Sequence, residues 1–191
     1  TLLALVSVLT GYPTMTGIWL GLGIAAKLYP VVLLPIFSAY YLVSKKHRYL
    51  LRLLLSCIGI TCIIFIPFAL SAGSDMLSFL RYHQQRGLQI ESVPAGLVSL
   101  AHVLGLTKAS TVFNYGASHM VSPLADTIQK WLPLISILAF VAVIYSCLSS
   151  FRREYAATGA IKPESLVIYV TAALLTFMAT GKVFSTQYII W

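Results

Sequence analysis

The stretch LLLSCIGITCIIFIPFAL, residues 53–70, holds no charged side chain. It is close to the ~20 apolar residues that cross the hydrocarbon core of a bilayer. A surface helix of a soluble domain would show a charged face over such a length; here the polar positions are only Ser56, Thr61 and the small Cys57 and Cys62. Immediately before it stand Lys45, Lys46, Arg48 and Arg52. Basic residues beside an apolar run mark the cytoplasmic end of a membrane span.

The same pattern recurs along the chain. Residues 128–148 form a second long apolar run, followed by Arg152 and Arg153, and residues 166–181 form another. The composition agrees: 59% of residues are hydrophobic and 9% charged, against roughly 25% charged in an ordinary soluble domain. The mean hydropathy is +0.88. The fold class expected is all-α, a polytopic bundle of transmembrane helices. No soluble domain or internal repeat is evident. The chain begins at Thr1 in mid-apolar sequence, without Met or a signal-peptide pattern, and so reads as a fragment of a larger membrane domain, its C-terminal part.

The net charge of +8 raises the possibility of a nucleic-acid partner. The position of the charges argues against it, because they flank spans and form no aromatic-interleaved basic stripe. Membrane lipid is the expected surrounding. Cys57, Cys62 and Cys147 lie inside apolar runs with no paired spacing, so they read as small buried side chains. His83, His102 and His119 are too scattered for a metal site, and no metal or cofactor is expected.

Residues 16–43 are apolar apart from Lys27. As one helix they would run ~42 Å, more than a bilayer core requires. Two readings are open. One is a single tilted helix kinked at Pro30 and Pro35; the other is a hairpin of two short helices meeting near Lys27. The hairpin is favoured, since it lets the lysine reach the headgroup layer. Residues 71–127 are mostly polar and form an extracytoplasmic loop on this topology. Within it, residues 75–85 read as a short amphipathic helix capped by Ser74, and residues 94–106 as an apolar piece too short to span. The segments assigned to the cytoplasm carry Lys45, Lys46, Arg48, Arg52, Arg152, Arg153 and Lys162 against Glu154 and Glu164.

Three polar constellations interrupt this apolar background. They are GIAAKLYP (23–30), RYHQQRGLQIES (81–92) and KVFSTQY (182–188), within the longer strings GLGIAAKLYPVVLLPIF (21–37), RYHQQRGLQIESVPAGL (81–97) and KVFSTQYIIW (182–191). Two fall on the extracytoplasmic side, and the first joins them under the hairpin reading. Lys and Arg at a membrane surface are natural partners for phosphate, Arg through a bidentate pair and Lys as a point charge. The neighbouring Tyr82, Gln89, Gln187 and Tyr188 suit a sugar. A lipid-phosphate-sugar offers both features at this depth. Plainer roles are also open: Lys182 at a helix end suits snorkelling, and Arg81 and Arg86 suit anionic lipid or pairing with Asp75 and Glu91. Lys27 is harder to read that way, because an ionisable residue inside an apolar run is functional by default.

These three strings resemble, in order and spacing, glycosyltransferase family 87. The first matches a G-x-x-x-x-x-K-x-x-P span, the second an R-G-x-Q-x-E-S loop and the third a K-V-x-S-x-Q-Y-x-x-W string; Thr186 stands where proline is often found. The resemblance implies a GT-C-type enzyme of a bacterial inner membrane, multi-pass, with its active face extracytoplasmic. Its donor would be a polyprenyl-phosphate-linked hexose, mannose above all, and its acceptor a glycan or glycolipid, with inversion at the anomeric carbon. Lys27, Arg86 and Lys182 would hold the donor phosphate. Arg81, Gln89, Ser92, Ser185, Gln187 and Tyr188 would contact sugar or acceptor. Such transfer needs a carboxylate base; in enzymes of this type it usually sits in a first extracytoplasmic loop, upstream of Thr1. Glu91 is the local candidate. The competing class is a transporter or flippase of a lipid-linked glycan, which would gather the same cations around a lipid phosphate. A plain lipid-binding membrane subunit is a third.

Overall fold

The computed structural model describes every residue except 74–77, 79–81, 83–84 and 185–191. The chain is predominantly helical, an all-α membrane bundle in class. Its elements in order are α1 (Leu2–Leu9), α2 (Pro13–Ala26), a 3-10 helix (Tyr29–Leu33), α3 (Leu34–Val43), α4 (His47–Ala72), β1 (Leu88–Gln89), α5 (Val93–Val103), β2 (Ser110–Asn114), β3 (Ala117–Val121), α6 (Pro123–Thr158) and α7 (Pro163–Thr180). Among the described residues, α4, α6 and α7 are long and apolar enough to cross a membrane. Contacts divide the chain into two compact units, Thr1–Met76 with Val141–Leu174, and Leu77–Phe140 with Leu175–Trp191.

In the first unit, residues 16–43 are not one continuous helix. Helix α2 ends at Ala26, and Lys27 takes an extended conformation, φ −156° and ψ 120°. Pro30 then opens the 3-10 turn, and Pro35 sits in the first turn of α3, where a missing N–H costs nothing. Helix α2 packs directly on α4 through Gly17 and Gly21, one turn apart on the same face. A Cβ on Gly17 would fall on Ser56 Oγ and the Leu53 carbonyl, and one on Gly21 would lie 2.7 Å from the Cys57 carbonyl. Small residues at this spacing let helix backbones approach closely, the main source of packing energy between helices in lipid. Leu20, Leu53 and Cys57 fill the seam and are buried. Most of the apolar surface of α4 faces outward instead, as in Leu55, Ile58, Ile63 and Phe68. That is the arrangement of a helix whose solvent is hydrocarbon.

A second cluster of this unit is aromatic. Phe151 is fully buried and meets Tyr40 and Tyr169 edge-on, with centroids 6.3 and 5.6 Å apart. Edge-to-face pairs of this kind add ~1 kcal/mol each beyond their burial. Beside them Glu154 accepts from the Lys162 backbone N–H at 3.2 Å and from the Ser165 hydroxyl, tying the end of α6 to the start of α7.

The second unit contains structure that a polar loop does not suggest. Strands β1, β3 and β2 form a three-stranded antiparallel sheet in that order. The β2–β3 hairpin turns through Tyr115 and Gly116, both at positive φ (48° and 71°), between the paired Asn114 and Ala117. A two-residue turn with both central residues left-handed matches the twist of the strands it joins. Helix α5 covers the sheet through Ala95 and Val98, which pack with Leu88, Met120, Ala125 and Leu132. The expected short helix over 75–85 lies almost wholly outside the described residues.

Candidate functional site

The second unit gathers Arg86, Gln89, Glu91 and Lys182 around strand β1. Gln89 of β1 and Ile90, which follows it, organise the group. Gln89 donates its backbone N–H to the Lys182 carbonyl at 2.9 Å, and Ile90 donates to the Ser118 carbonyl at 3.0 Å. The segment after α7 is therefore stitched to one edge of β1 while β3 holds the other. The Lys182 ammonium donates to the Arg86 carbonyl at 2.9 Å, and Gln129 Nε2 donates to the same oxygen at 3.2 Å. Arg86 is thereby fixed at its backbone from α6 and from the post-α7 segment. Its guanidinium lies 5.6 Å from the Tyr82 ring centroid, within cation–π range. Tyr82 in turn donates its hydroxyl to the Tyr115 carbonyl at 2.7 Å, so the β2–β3 turn holds the ring in place.

Two cations close together in a half-buried setting repel each other. Burial, and then the charge of Arg86, hold the Lys182 pKa below the ordinary lysine range. An anion beside Lys182 would oppose this shift, since a counter-charge favours the charged form. Unused hydrogen-bonding capacity lies in the same place. Among the described residues, Arg86 Nε, Gln89 Oε1 and His119 Nδ1 are buried without a hydrogen-bond partner. Such atoms are uncommon in a folded interior and call for a ligand or water.

Four of the other expected site residues lie among the described ones: Gln89, Glu91, Ser92 and Lys27. Gln89 is buried, with its amide Nε2 on the Glu91 carboxylate. Glu91 is exposed at the end of the strand, its carboxylate oriented by that amide. Ser92 is buried, and its hydroxyl accepts from the Ala95 N–H at 3.3 Å, capping α5. Its hydroxyl keeps its own O–H free to donate while it caps the helix. Lys27 belongs to the other unit, half-buried at the break after α2. Arg81, Ser185, Gln187 and Tyr188 lie outside the described residues.

Sequence reasoning missed His119. It stands opposite Gln89 in the sheet register, is almost fully buried, and directs Nε2 to the Asn114 carbonyl at 3.1 Å. Gly87 abuts it so closely that a Cβ there would sit 3.3 Å from His119 Cβ. The signal that would have found it is the Tyr115-Gly116 turn, which puts Val112 and His119 in register.

The site's charge and its placement in a membrane bundle agree with a comparison of the whole chain. A sequence model of glycosyltransferase family 87 matches residues 1–176. The chain belongs to that family. Its chemistry is therefore that of a membrane glycosyltransferase, with a sugar donor and a sugar acceptor as substrates. The family 87 match takes in Lys27, Arg86, Gln89, Glu91 and Ser92 and ends before Lys182. No curated protein and no solved structure matches the chain.

Proposed function

We propose that the protein transfers a hexose, mannose in the first instance, from a polyprenyl-phosphate donor to an extracytoplasmic glycan or glycolipid, with inversion. The observation that carries this reading is the Arg86–Lys182 pair. A lipid-phosphate-sugar is a phosphodiester with one negative charge. When the sugar leaves, the lipid phosphate gains a second. Two fixed cations match the charge that develops, so they stabilise the transition state more than the ground state. Burial, and then the charge of Arg86, lower the Lys182 pKa, and a bound phosphate would favour its charged form.

The sugar is the natural partner for the unused Gln89 carbonyl oxygen, which can accept from a hydroxyl. Glu91 is exposed beside it and is the local candidate to take the acceptor's proton as its oxygen attacks the anomeric carbon. A base supplied by sequence before Thr1 would leave Glu91 to position sugar hydroxyls. Arg81, Ser185, Gln187 and Tyr188 keep their proposed sugar or acceptor role on sequence grounds. Ser92 serves indirectly, by fixing the start of α5 next to Glu91. Lys27 is not needed for this reading, which rests on Arg86 and Lys182.

The test is sugar transfer by the full-length protein in membranes, with a panel of labelled polyprenyl-phosphate sugars. Label passing from the mannose donor to an endogenous acceptor supports the reading as stated. Label passing only from another sugar donor corrects the sugar. Translocation of intact lipid-linked glycan, with no transfer from any donor, would move the protein to the transporter class.

A further inference from the structure

A groove of about 470 Å³ opens in the first unit, far along the sequence from the residues of the candidate site. It is lined by Leu42, Val43, Lys45, Arg152, Tyr155 and Ala156. Two cations and one phenol face it, with an apolar wall and no carboxylate. The nearest acid in sequence, Glu154, is engaged by the Lys162 N–H and the Ser165 hydroxyl. The groove sits where α3 ends, α4 begins and α6 approaches its last turns, the basic end of the long apolar helices.

Lys45 is held there by an unusual backbone. Its N–H bonds the Leu42 carbonyl and that of Lys46 bonds the Tyr41 carbonyl, both closing the end of α3. This is the Schellman arrangement, whose left-handed position is normally glycine. Lys45 occupies it at φ 57°. A side chain that strains its own backbone is a pointer to a use for that side chain.

We propose that this groove is a binding site for the phosphate headgroup of an anionic membrane lipid. Lys45 and Arg152 hold the phosphate, the Tyr155 hydroxyl donates to it or to the glycerol, and Leu42, Val43 and Ala156 receive the first acyl carbons. The chemistry excludes zwitterionic choline lipid as the preferred ligand, since no acid is present to receive its ammonium. The groove shares no residue with the proposed donor site and does not depend on that reading.

The test uses the full-length protein in detergent, titrated with phosphatidylglycerol or phosphatidylcholine and followed by native mass spectrometry. Lys45→Gly removes the cation while giving the left-handed turn its preferred residue, so this variant should melt at or above the parent temperature. Arg152→Gln removes the second cation from an exposed helix position. Each is expected to weaken phosphatidylglycerol retention about five-fold, the scale of one basic residue at an anionic surface. Phosphatidylcholine retention should not change, and neither should either lipid in Arg48→Gln, a basic residue at the same end that does not line the groove. An equal loss in Arg48→Gln would mean diffuse surface attraction and overturn the site. So would unchanged retention in both groove variants. Displacement of the lipid by equimolar inorganic phosphate would overturn the assignment to a lipid.

Discussion

The two units of this chain treat their polar groups differently. Helical hydroxyls turn back onto their own helices in both: Ser7, Thr16, Ser56 and Thr61 in the unit of Thr1–Met76 and Val141–Leu174, and Thr127, Ser136 and Thr180 in the other, each donate to the carbonyl four residues earlier; the difference lies in the buried atoms left open. In the first unit Tyr41 Oη is the one buried side-chain polar atom without a partner among the described residues. In the other unit three such atoms, Arg86 Nε, Gln89 Oε1 and His119 Nδ1, cluster about one short strand. Tyr41 Oη apart, the buried side-chain polar atoms of the first unit are satisfied among the described residues. The second holds hydrogen-bonding capacity in reserve, which is what a binding site requires. Substitutions should therefore act on folding in the first and on turnover in the second.

The largest effect is expected at the α2–α4 seam. Gly17→Leu or Gly21→Leu forces side-chain atoms into the backbone of α4. Overpacking of this kind costs about 3 kcal/mol or more where backbone must move. Folded protein recovered from membranes should fall sharply. Normal yield and melting would show that the seam is looser than it looks.

Next comes the cation pair. Arg86→Gln should reduce transfer about 100-fold or more, the scale of losing one group that meets developing charge. Its melting temperature should stay within a few degrees of the parent. A variant that unfolds instead would make Arg86 a structural residue of the sheet, and erase the contrast between the units.

Glu91→Gln separates two roles in the same unit. Loss of the chemical step with donor binding intact makes Glu91 the base. Loss of binding alone makes it a positioning group, acting with Gln89.

The pH dependence follows from the lowered pKa of Lys182. A lysine whose folded pKa lies below its unfolded value opposes folding while charged. That penalty is fully present below the folded pKa and disappears as pH rises toward the unfolded value. Phosphate binding needs the charged form, so kcat/KM should fall on the basic side at a pH below the ordinary lysine range. The limb in kcat should lie higher, because bound phosphate restores the charge. Lys182→Arg should remove both limbs, since arginine stays protonated. Identical basic limbs in parent and variant would assign the titration elsewhere.

The smallest effect is expected at the cap. Ser92→Ala removes the acceptor for the Ala95 N–H and should cost about 1 kcal/mol of stability. Transfer at a temperature well below melting should be little changed.

The membrane helices were legible because their signal is long and uniform: uncharged runs such as 53–70 have no other stable use. The region of Lys27 left two readings open, a kinked helix or a hairpin, because a lysine near a proline does not by itself end a helix: α6 runs unbroken through Lys130 and Pro133. The three-stranded sheet was not legible. Its strands are short, β2 is exposed throughout, and the alternation that marks a half-buried strand is absent. The turn at Tyr115-Gly116 was the available clue, and Tyr is an unusual residue to adopt positive φ. At the site, Arg86 and Lys182 stood out as cations beside apolar runs, whereas their meeting through the Arg86 carbonyl depends on sheet pairing that no local pattern announces. Ser92 reads as a sugar contact in a motif, and its second task, accepting the Ala95 N–H at the start of α5, follows from the Ser-x-x-Ala cap that the sequence reading did not use.

The central claim is that Lys182 and Arg86 together hold a lipid phosphate as the sugar leaves it. The most direct test compares the full-length parent with Lys182→Ala in membranes, using labelled polyprenyl-phosphate-mannose. The account predicts transfer by the parent and a fall of about 100-fold in the variant, with the variant folded and present at parent levels. Undiminished transfer by folded Lys182→Ala would contradict it.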